Sequence, residues 1–182
     1  RARELLPETG AQTMLTPAIA KAFREGVGRL ERHAEVSMLA KGKYDGVAAL
    51  FETSAASLLA HHELQDEVFG AAGLVVRCKD FDELEKVIDA LEGQLTVALH
   101  VDDSDIDDAR RLVPKLEMLA GRLLVNGFGT GVEVSPAMVH GGPYPATADG
   151  RSTSVGTLAI YRFLRPVSYQ DFPEAIRPIA LR

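Results

Sequence analysis

Cysteine is nearly absent from this sequence, which contains a single one in 182 residues. One cysteine cannot form an internal disulfide, and this composition is typical of a protein in a reducing, cytoplasmic setting. Long apolar runs are missing as well, because none approaches the roughly 20 residues that a membrane-spanning helix needs. We therefore expect a cytoplasmic protein that makes no contact with a membrane.

A net positive charge is also absent. The formal net charge is -6 at pH 7, whereas a nucleic-acid surface would require a basic patch, so no nucleic-acid partner is expected. No methionine begins the chain, and its first residues do not resemble a signal peptide, which indicates a fragment or a processed chain. We find no internal repeat and no low-complexity linker, so a hydrophobic content of 46% predicts one full core.

Predicted helices alternate with predicted strands along the chain. The Thr16–Pro17 pair starts a helix that runs to about His33, and Asp80 with Glu83 starts a second one that ends at Gly93. A third helix is predicted to start at Ser104, where Pro114 should cause a kink or a restart. Strands are predicted at residues 36–40, 47–52, 73–78, 96–101 and 123–126. The order predicts an α/β fold with an open, mostly parallel sheet flanked by helices.

A long glycine-rich loop, residues 132–150, follows the last of these strands. A loop of this length inside a compact domain is usually functional or disordered. It also lies at the carboxyl end of a strand, where open α/β sheets place their ligands. A further helix is predicted from about Ser154 to Pro166, followed by a strand at Arg165–Tyr169.

Two stretches in this region carry a resemblance. Residues 124–132 read LVNGFGTGV and residues 135–147 read SPAMVHGGPYPAT. Both are similar to the C-terminal part of aldehyde dehydrogenases, in particular the branch that oxidises α-ketoglutaric semialdehyde. The generic superfamily follows its paired glycines with Lys-x-Ser-Gly-x-Gly-Arg-Glu, whereas here only the Gly150–Arg151 pair remains. The resemblance extends from about Leu15 to the C-terminus, and it implies a partial aldehyde dehydrogenase catalytic domain.

A second motif, Glu67-Val68-Phe69-Gly70, strengthens the resemblance. In aldehyde dehydrogenases a matching glutamate and phenylalanine meet the nicotinamide cofactor, which implies cofactor contacts for Glu67 and Phe69 with NAD or NADP. A carboxylate offers several acceptor sites to a ribose diol. Ala71 stands where the family usually has proline. Without the resemblance, Phe69 would be interpreted as a core residue.

The resemblance also implies which residues line the entry path of a small aldehyde substrate. Phe128 is the best candidate for a pocket wall, and Ser135 and Pro143 are further candidates. The choice between NAD and NADP, and the exact aldehyde, stay open.

The family attacks its substrate with a cysteine thiolate, but Cys78 does not lie in that sequence context. At the end of a strand that we expect to be buried, it is better interpreted as a small apolar residue. The resemblance implies that the nucleophile and the dinucleotide-binding half lie outside this sequence. We therefore assign no catalytic residue here and expect the chain alone to be inactive.

No metal site is predicted. His61 and His62 are neighbours whose side chains diverge, and His33, His100 and His140 have no partner at metal-ligand spacing. A run of aspartates, Asp103, Asp105 and Asp107, is interpreted as the solvated start of a helix, because it lacks the glycine and the glutamate of a calcium loop.

By resemblance, residues 1–164 form the partial catalytic domain, and residues 165–182 form a C-terminal strand and tail. Family members use a matching segment to pair with another subunit, so a homo-oligomer is expected. Two alternatives remain open. One is a non-catalytic α/β module that binds a small anion or serves in assembly, and the other is an independent enzyme that uses Cys78.

Overall fold

A computed structural model describes residues 1–10, 13–43, 48–129, 131–132, 134–145 and 153–181. These residues form two compact units. Unit 1 comprises Arg1–Glu92 and Asp102–Leu116, and unit 2 comprises Gly93–Val101 and Glu117–Arg182. A turn is predicted at residues 41–46, between the first two strands, and its residues 44–46 lie outside the described residues. The Gly150–Arg151 pair also lies outside them. The boundary proposed between residues 164 and 165 separates a catalytic part from a segment for subunit pairing, and it stays a prediction.

The helices and strands follow one another in an alternating order. The helices are α1 (Ala2–Leu5), α2 (Pro17–Arg32), α3 (Ala55–Ala60), α4 (Phe81–Ala90) and α5 (Ile106–Leu119). The strands are β1 (Ser37–Lys41), β2 (Ala49–Ser54), β3 (Ala72–Arg77), β4 (Val97–Leu99) and β5 (Leu123–Val125). Short 3-10 helices cover Leu6–Glu8, His62–Gln65, Asp103–Asp105, Thr157–Phe163, Glu174–Ile176 and Ile179–Leu181.

Side-chain caps explain where the helices start. The Thr16 hydroxyl accepts a hydrogen bond from Ile19 N at 3.2 Å, and Asp80 accepts one from Glu83 N at 2.8 Å. Each cap satisfies one of the amides that an α-helix leaves without a partner at its first turn. The start predicted at Ser104 belongs instead to Asp102, which forms a capping box with Asp105. Helix α5 then runs through Pro114 without restarting.

Unit 1 has a three-stranded sheet in the order β1-β2-β3. Strand β1 pairs antiparallel with β2, and β2 pairs parallel with β3. The central strand β2 carries Phe51, which is fully buried. Around it lies a core cluster that joins α2, α3 and α4 to this sheet, comprising Phe23, Val27, Leu30, Ala49, Phe51, Ala55, Leu58, Leu64 and Val87. Burial of these apolar side chains is the main stabilising contribution to unit 1.

Unit 2 has a shorter sheet, in which β4 and β5 pair in parallel over three residues each. Asn126 extends this pairing beyond the strands. Its Nδ2 donates to Val101 O and its Oδ1 accepts from Val101 N, both at 2.9 Å, while its backbone N donates to Leu99 O at 2.8 Å. The residue adopts a left-handed φ of 53°, which asparagine tolerates better than most residues. The side-chain amide thus replaces a missing peptide group where the parallel pair ends.

The α/β class predicted from the sequence is confirmed, and β2–β3 and β4–β5 pair in parallel within two separate sheets. Two further local expectations are wrong. The helix expected from Ser154 is a 3-10 helix that starts at Thr157, because the Thr153 hydroxyl accepts from the amides of Val155 and His140 and holds this segment as a turn.

The strand expected at Arg165–Tyr169 is also not formed in this chain. A strand requires ladder hydrogen bonds with a neighbour, and the described residues supply none here. Across the described part of the chain, no helix combines the length and the hydropathy that membrane crossing requires.

Candidate functional site

The Glu67–Phe69 segment is a loop between the 3-10 helix His62–Gln65 and strand β3. Glu67 is exposed, and the Phe69 side chain is 65% exposed. The interpretation of Phe69 as a core residue is therefore excluded. An exposed phenylalanine costs hydrophobic free energy unless something else covers it, so the ring is available for a ligand or a partner.

Two contacts with helix α2 hold this loop in place. Val68, between the two exposed residues, packs against the core, and a Cβ placed on Gly26 would lie 2.8 Å from Val68 Cγ1. Gly70 has a φ of +144°, and a Cβ there would lie 2.5 Å from Phe23 Cδ2. Only glycine fits these two positions, so Gly26 strengthens the packing although it lowers the helix propensity of α2.

Phe128 lies in unit 2, just after β5, with its side chain 82% exposed. Its ring centroid is 5.3 Å from that of His100, in a tilted arrangement. It lines a cavity of about 600 Å³, together with Gly121, Arg122, Leu123, Leu124, Val125, Gly131, Ala137, Met138 and Val139. This volume lies within the range of small-molecule sites, and the lining combines apolar side chains with exposed polar atoms and one guanidinium group. Asn126 precedes the turn that carries Phe128 and anchors it to β4.

Ser135 and Pro143 do not line this cavity. The Ser135 carbonyl accepts hydrogen bonds from Met138 N and Thr157 N, each at 3.3 Å. Pro143 packs so closely on Gly93 that a Cβ there would lie 2.2 Å from Pro143 Cγ. In unit 2 both residues therefore hold loop segments together, and their predicted substrate contacts remain proposals.

Cys78 follows strand β3 and is half-buried. Burial raises the pKa of its thiol, and the carboxylates of Glu83 and Asp80 raise it further. A raised pKa lowers the thiolate fraction at neutral pH, which is the opposite of what activates a nucleophile. The geometry thus supports the structural interpretation of Cys78.

One cluster was missed from the sequence. His33, for which no partner was predicted, lies beside His61 and Glu63 in unit 1, with one potential ligand atom of each within 4.8 Å of the others. The pKa of the Glu63 carboxyl is lowered by its own backbone amide and by the two imidazoles. His33 and His61 are 28 positions apart, so sequence spacing gives no signal for their contact.

The aspartates at residues 102–105 act as a helix start. The Ser104 hydroxyl and backbone amide both donate to Asp102 Oδ1, at 2.6 and 2.8 Å. These two hydrogen bonds lower the pKa of the Asp102 carboxyl. The acidic run therefore serves the backbone at the start of α5.

Comparison with solved structures defines the class of fold. The chain superposes on Δ-pyrroline-5-carboxylate dehydrogenase from Mycobacterium tuberculosis with a TM-score of 0.66 and 16% sequence identity, covering 91% of this chain and 32% of that one. A crystal structure of the same enzyme bound with NAD gives a TM-score of 0.63, 17% identity, and coverage of 91% and 31%. The fold is that of part of an aldehyde dehydrogenase catalytic domain.

Sequence similarity specifies the family. The chain is 50% identical over 186 residues to α-ketoglutaric semialdehyde dehydrogenase 2 of Azospirillum brasilense, covering 100% of this chain and 35% of the relative. It is 42% identical over 177 residues to α-ketoglutaric semialdehyde dehydrogenase of Acinetobacter baylyi, covering 94% and 34%. No family model matches the sequence. The chain belongs to the aldehyde dehydrogenase superfamily, as its two motifs predicted, and spans about a third of the length of these relatives.

Proposed function

We propose that this chain contributes to a cytoplasmic NAD(P)-dependent aldehyde dehydrogenase that oxidises α-ketoglutaric semialdehyde to the carboxylic acid. The observation that carries the proposal is the exposed Glu67–Phe69 pair on either side of a packed valine. The similarity to two α-ketoglutaric semialdehyde dehydrogenases supports the choice of substrate.

The side chains of the Glu67–Phe69 loop suit a dinucleotide. When bound, NAD or NADP accepts a hydride at its nicotinamide ring. The Glu67 carboxylate can accept hydrogen bonds from both hydroxyls of a ribose, since its oxygens are acceptors only when ionised. The exposed face of Phe69 limits where a flat ring can lie beside it. Val68 and Gly70 hold the backbone of this loop against the core, so little backbone ordering remains for the moment of binding.

The cavity lined by Phe128 fits the aldehyde. Its apolar wall accommodates the carbon chain, and Arg122 supplies the cation that the carboxylate of the semialdehyde requires. The Arg122 guanidinium also donates to Gly131 O, so it is held at the edge of the loop. We assign Phe128 to the wall and Arg122 to the carboxylate. Ser135 and Pro143 contribute by fixing the loop segments of unit 2.

The kinetic test uses a chimera in which this chain replaces the matching segment of the Azospirillum brasilense enzyme. We expect Glu67→Gln to raise the KM for the dinucleotide about tenfold or more, because a hydrogen bond to a charged group is lost. Phe128→Ala should raise the KM for the aldehyde and leave the dinucleotide KM unchanged. Asp66→Asn, an exposed carboxyl in the same loop, is the matched control. Equal effects of Glu67→Gln and Asp66→Asn would contradict the assignment.

A second test concerns Cys78. Because its thiol is not activated, the purified 182-residue chain should form no NADH or NADPH from the semialdehyde. Aldehyde oxidation by this chain, abolished in Cys78→Ser, would instead establish the independent enzyme.

We also propose that the segment at residues 165–182 forms a homo-oligomeric contact. Val167 and Ile176 are more than half exposed, and Tyr169 is 42% exposed. Light scattering would compare the chain with a version that ends at residue 164. A larger mass for the longer chain supports the contact, and equal monomer masses contradict it.

A further inference from the structure

His33, His61 and Glu63 converge from three elements of unit 1. His33 is the residue at the end of α2, and His61 ends α3 just before the 3-10 helix that carries Glu63. One carboxylate oxygen, Glu63 Oε1, lies 3.5 Å from His33 Nε2 and also 3.5 Å from His61 Nδ1. The two imidazole rings meet edge to face with centroids 4.9 Å apart.

These distances exceed those of ordinary hydrogen bonds. An N–H···O bond spans about 2.7–3.2 Å, so neither imidazole makes a good one to this oxygen. The distances agree with another arrangement. Ligand atoms bound to one Zn²⁺ at about 2.0–2.2 Å in tetrahedral geometry lie about 3.4 Å from one another. Both measured separations are close to that value, and all three atoms lie within 4.8 Å.

We propose that His33, His61 and Glu63 bind a divalent transition-metal ion, with Zn²⁺ as the preferred occupant. Two imidazole nitrogens and one carboxylate oxygen form a ligand set that suits Zn²⁺ and that Mg²⁺ and Ca²⁺, which prefer oxygen ligands, do not share. The proposal is independent of the proposed enzymatic activity.

The surroundings leave room for a fourth ligand. His33 and Glu63 both line a cavity of about 80 Å³, shared with Arg29, Leu30, Asp66 and Val68. A water molecule needs roughly 10–15 Å³ of such space. A water can therefore complete four-coordinate geometry.

One hydrogen bond of His33 opposes metal binding. Glu35 N donates to His33 Nδ1 at 3.2 Å, which keeps the proton of the neutral ring on Nε2. Coordination through Nε2 moves that proton to Nδ1 and displaces the amide of Glu35. Binding therefore weakens one hydrogen bond, and we expect moderate affinity and a shift of the Glu35 amide resonance when Zn²⁺ is added.

A bound ion would link the end of α2 to the turn that precedes the Glu67–Phe69 loop. An ion that binds only the folded state stabilises it by mass action. At a hundredfold excess of Zn²⁺ over its Kd, we expect Tm of the 182-residue chain to rise by about 5–10 °C.

Isothermal titration of the chelator-treated chain with Zn²⁺ tests the proposal. We expect one ion per chain, and His61→Ala or Glu63→Gln should each weaken binding by about tenfold or more, since loss of a second-shell partner alone costs roughly 10–100-fold. Both side chains are substantially exposed, so these variants should fold. His62→Ala, an exposed neighbour outside the cluster, and Cys78→Ser are the matched controls and should bind as the unaltered chain does.

Co²⁺ provides a second readout, because its visible absorption reports tetrahedral coordination. We expect intense bands with the unaltered chain and with His62→Ala, and weak ones with Glu63→Gln. Absence of Zn²⁺ binding, binding that persists in both ligand variants, or binding that is lost in Cys78→Ser would each overturn the proposal.

Discussion

The two units of the chain differ in how many of their apolar side chains are buried. Unit 1 has an interior around Phe51, which is 0% exposed, and fewer of its large apolar residues are exposed than in unit 2. Among the described residues of unit 2, the buried side chains are Ala120 and Thr153. Most of the exposed large apolar residues that the structure describes belong to unit 2, including Phe128 at 82%, Phe163 at 86% and Ile179 at 85%.

This difference shows where covering surfaces are needed. A monomeric protein rarely exposes large contiguous apolar patches unless they bind something. Unit 1 has a core of buried apolar residues within the chain, and its exposed Phe69 lies in the loop that we propose meets the cofactor. In unit 2 exposure is the rule, which fits a region whose surfaces serve a substrate, another subunit or both.

The largest effect is expected from Phe51→Ala. Removing a fully buried phenylalanine should lower the free energy of unfolding by about 3–5 kcal/mol, since a cavity remains. Phe163→Ala in unit 2 removes the same side chain from an exposed position and should change it by no more than about 0.5 kcal/mol. Urea unfolding of both variants measures the difference. Comparable losses would show that unit 2 has an interior equivalent to that of unit 1.

A second contrast concerns the backbone. Gly70→Ala forces a side chain into a φ of +144° and against Phe23, so we expect a loss of about 1–3 kcal/mol from strain alone. Gly127→Ala in unit 2 is the control, because its Cβ would meet nothing closer than Val125 O at 3.9 Å. Urea midpoints of the two variants are compared. If Gly127→Ala were as costly as Gly70→Ala, the loop of unit 2 would be packed as tightly as that of unit 1.

Asn126 provides the converse test, because its side-chain hydrogen bonds to Val101 fix the backbone of unit 2 at this position. Asn126→Gly keeps the left-handed backbone and removes only the two side-chain hydrogen bonds to Val101, so we expect a loss of about 1–2 kcal/mol. Asn126→Ala should lose about 1 kcal/mol more, because alanine disfavours φ above zero. Hydrogen exchange of the Val101 amide gives a local measurement. Unchanged protection in Asn126→Gly would mean that the strand pair does not depend on this side chain.

Much of unit 1 could be predicted because its signals are local. The caps at Thr16 and Asp80 and the apolar spacing of α4 lie within a few residues of the structure they specify. Helix α3 was missed although Ser54 caps it through Ser57 N at 3.0 Å. Its six residues are too few for apolar periodicity to show.

The rest depends on distant or external partners. His33 meets His61 only because α2 and α3 pack in one core, and the advantage of Gly26 is visible only against Val68. The segment at Arg165–Tyr169 has a strand pattern, but no described residue of this chain pairs with it as a neighbouring strand. For the proposed site, the motifs predict Glu67, Phe69 and Phe128, whereas Arg122 enters the proposal only through the lining of the cavity.

The smallest expected effect is a pH dependence at the start of α5. The pKa of Asp102 is lowered in the folded protein by the Ser104 hydroxyl and amide. A lowered folded pKa gives stability that is present above the unfolded value of about 3.9 and is lost as pH falls through the folded value. In Asp102→Asn the urea midpoint of unfolding should therefore decrease less steeply as the pH is lowered into the acid range. Near neutral pH the midpoint should change little, because asparagine also caps helices. Asp103→Asn is the control, because Asp103 is the next residue and does not accept these hydrogen bonds from Ser104. If both variants reduced the pH dependence of the unfolding midpoint equally, the dependence would come from general charge rather than from the cap.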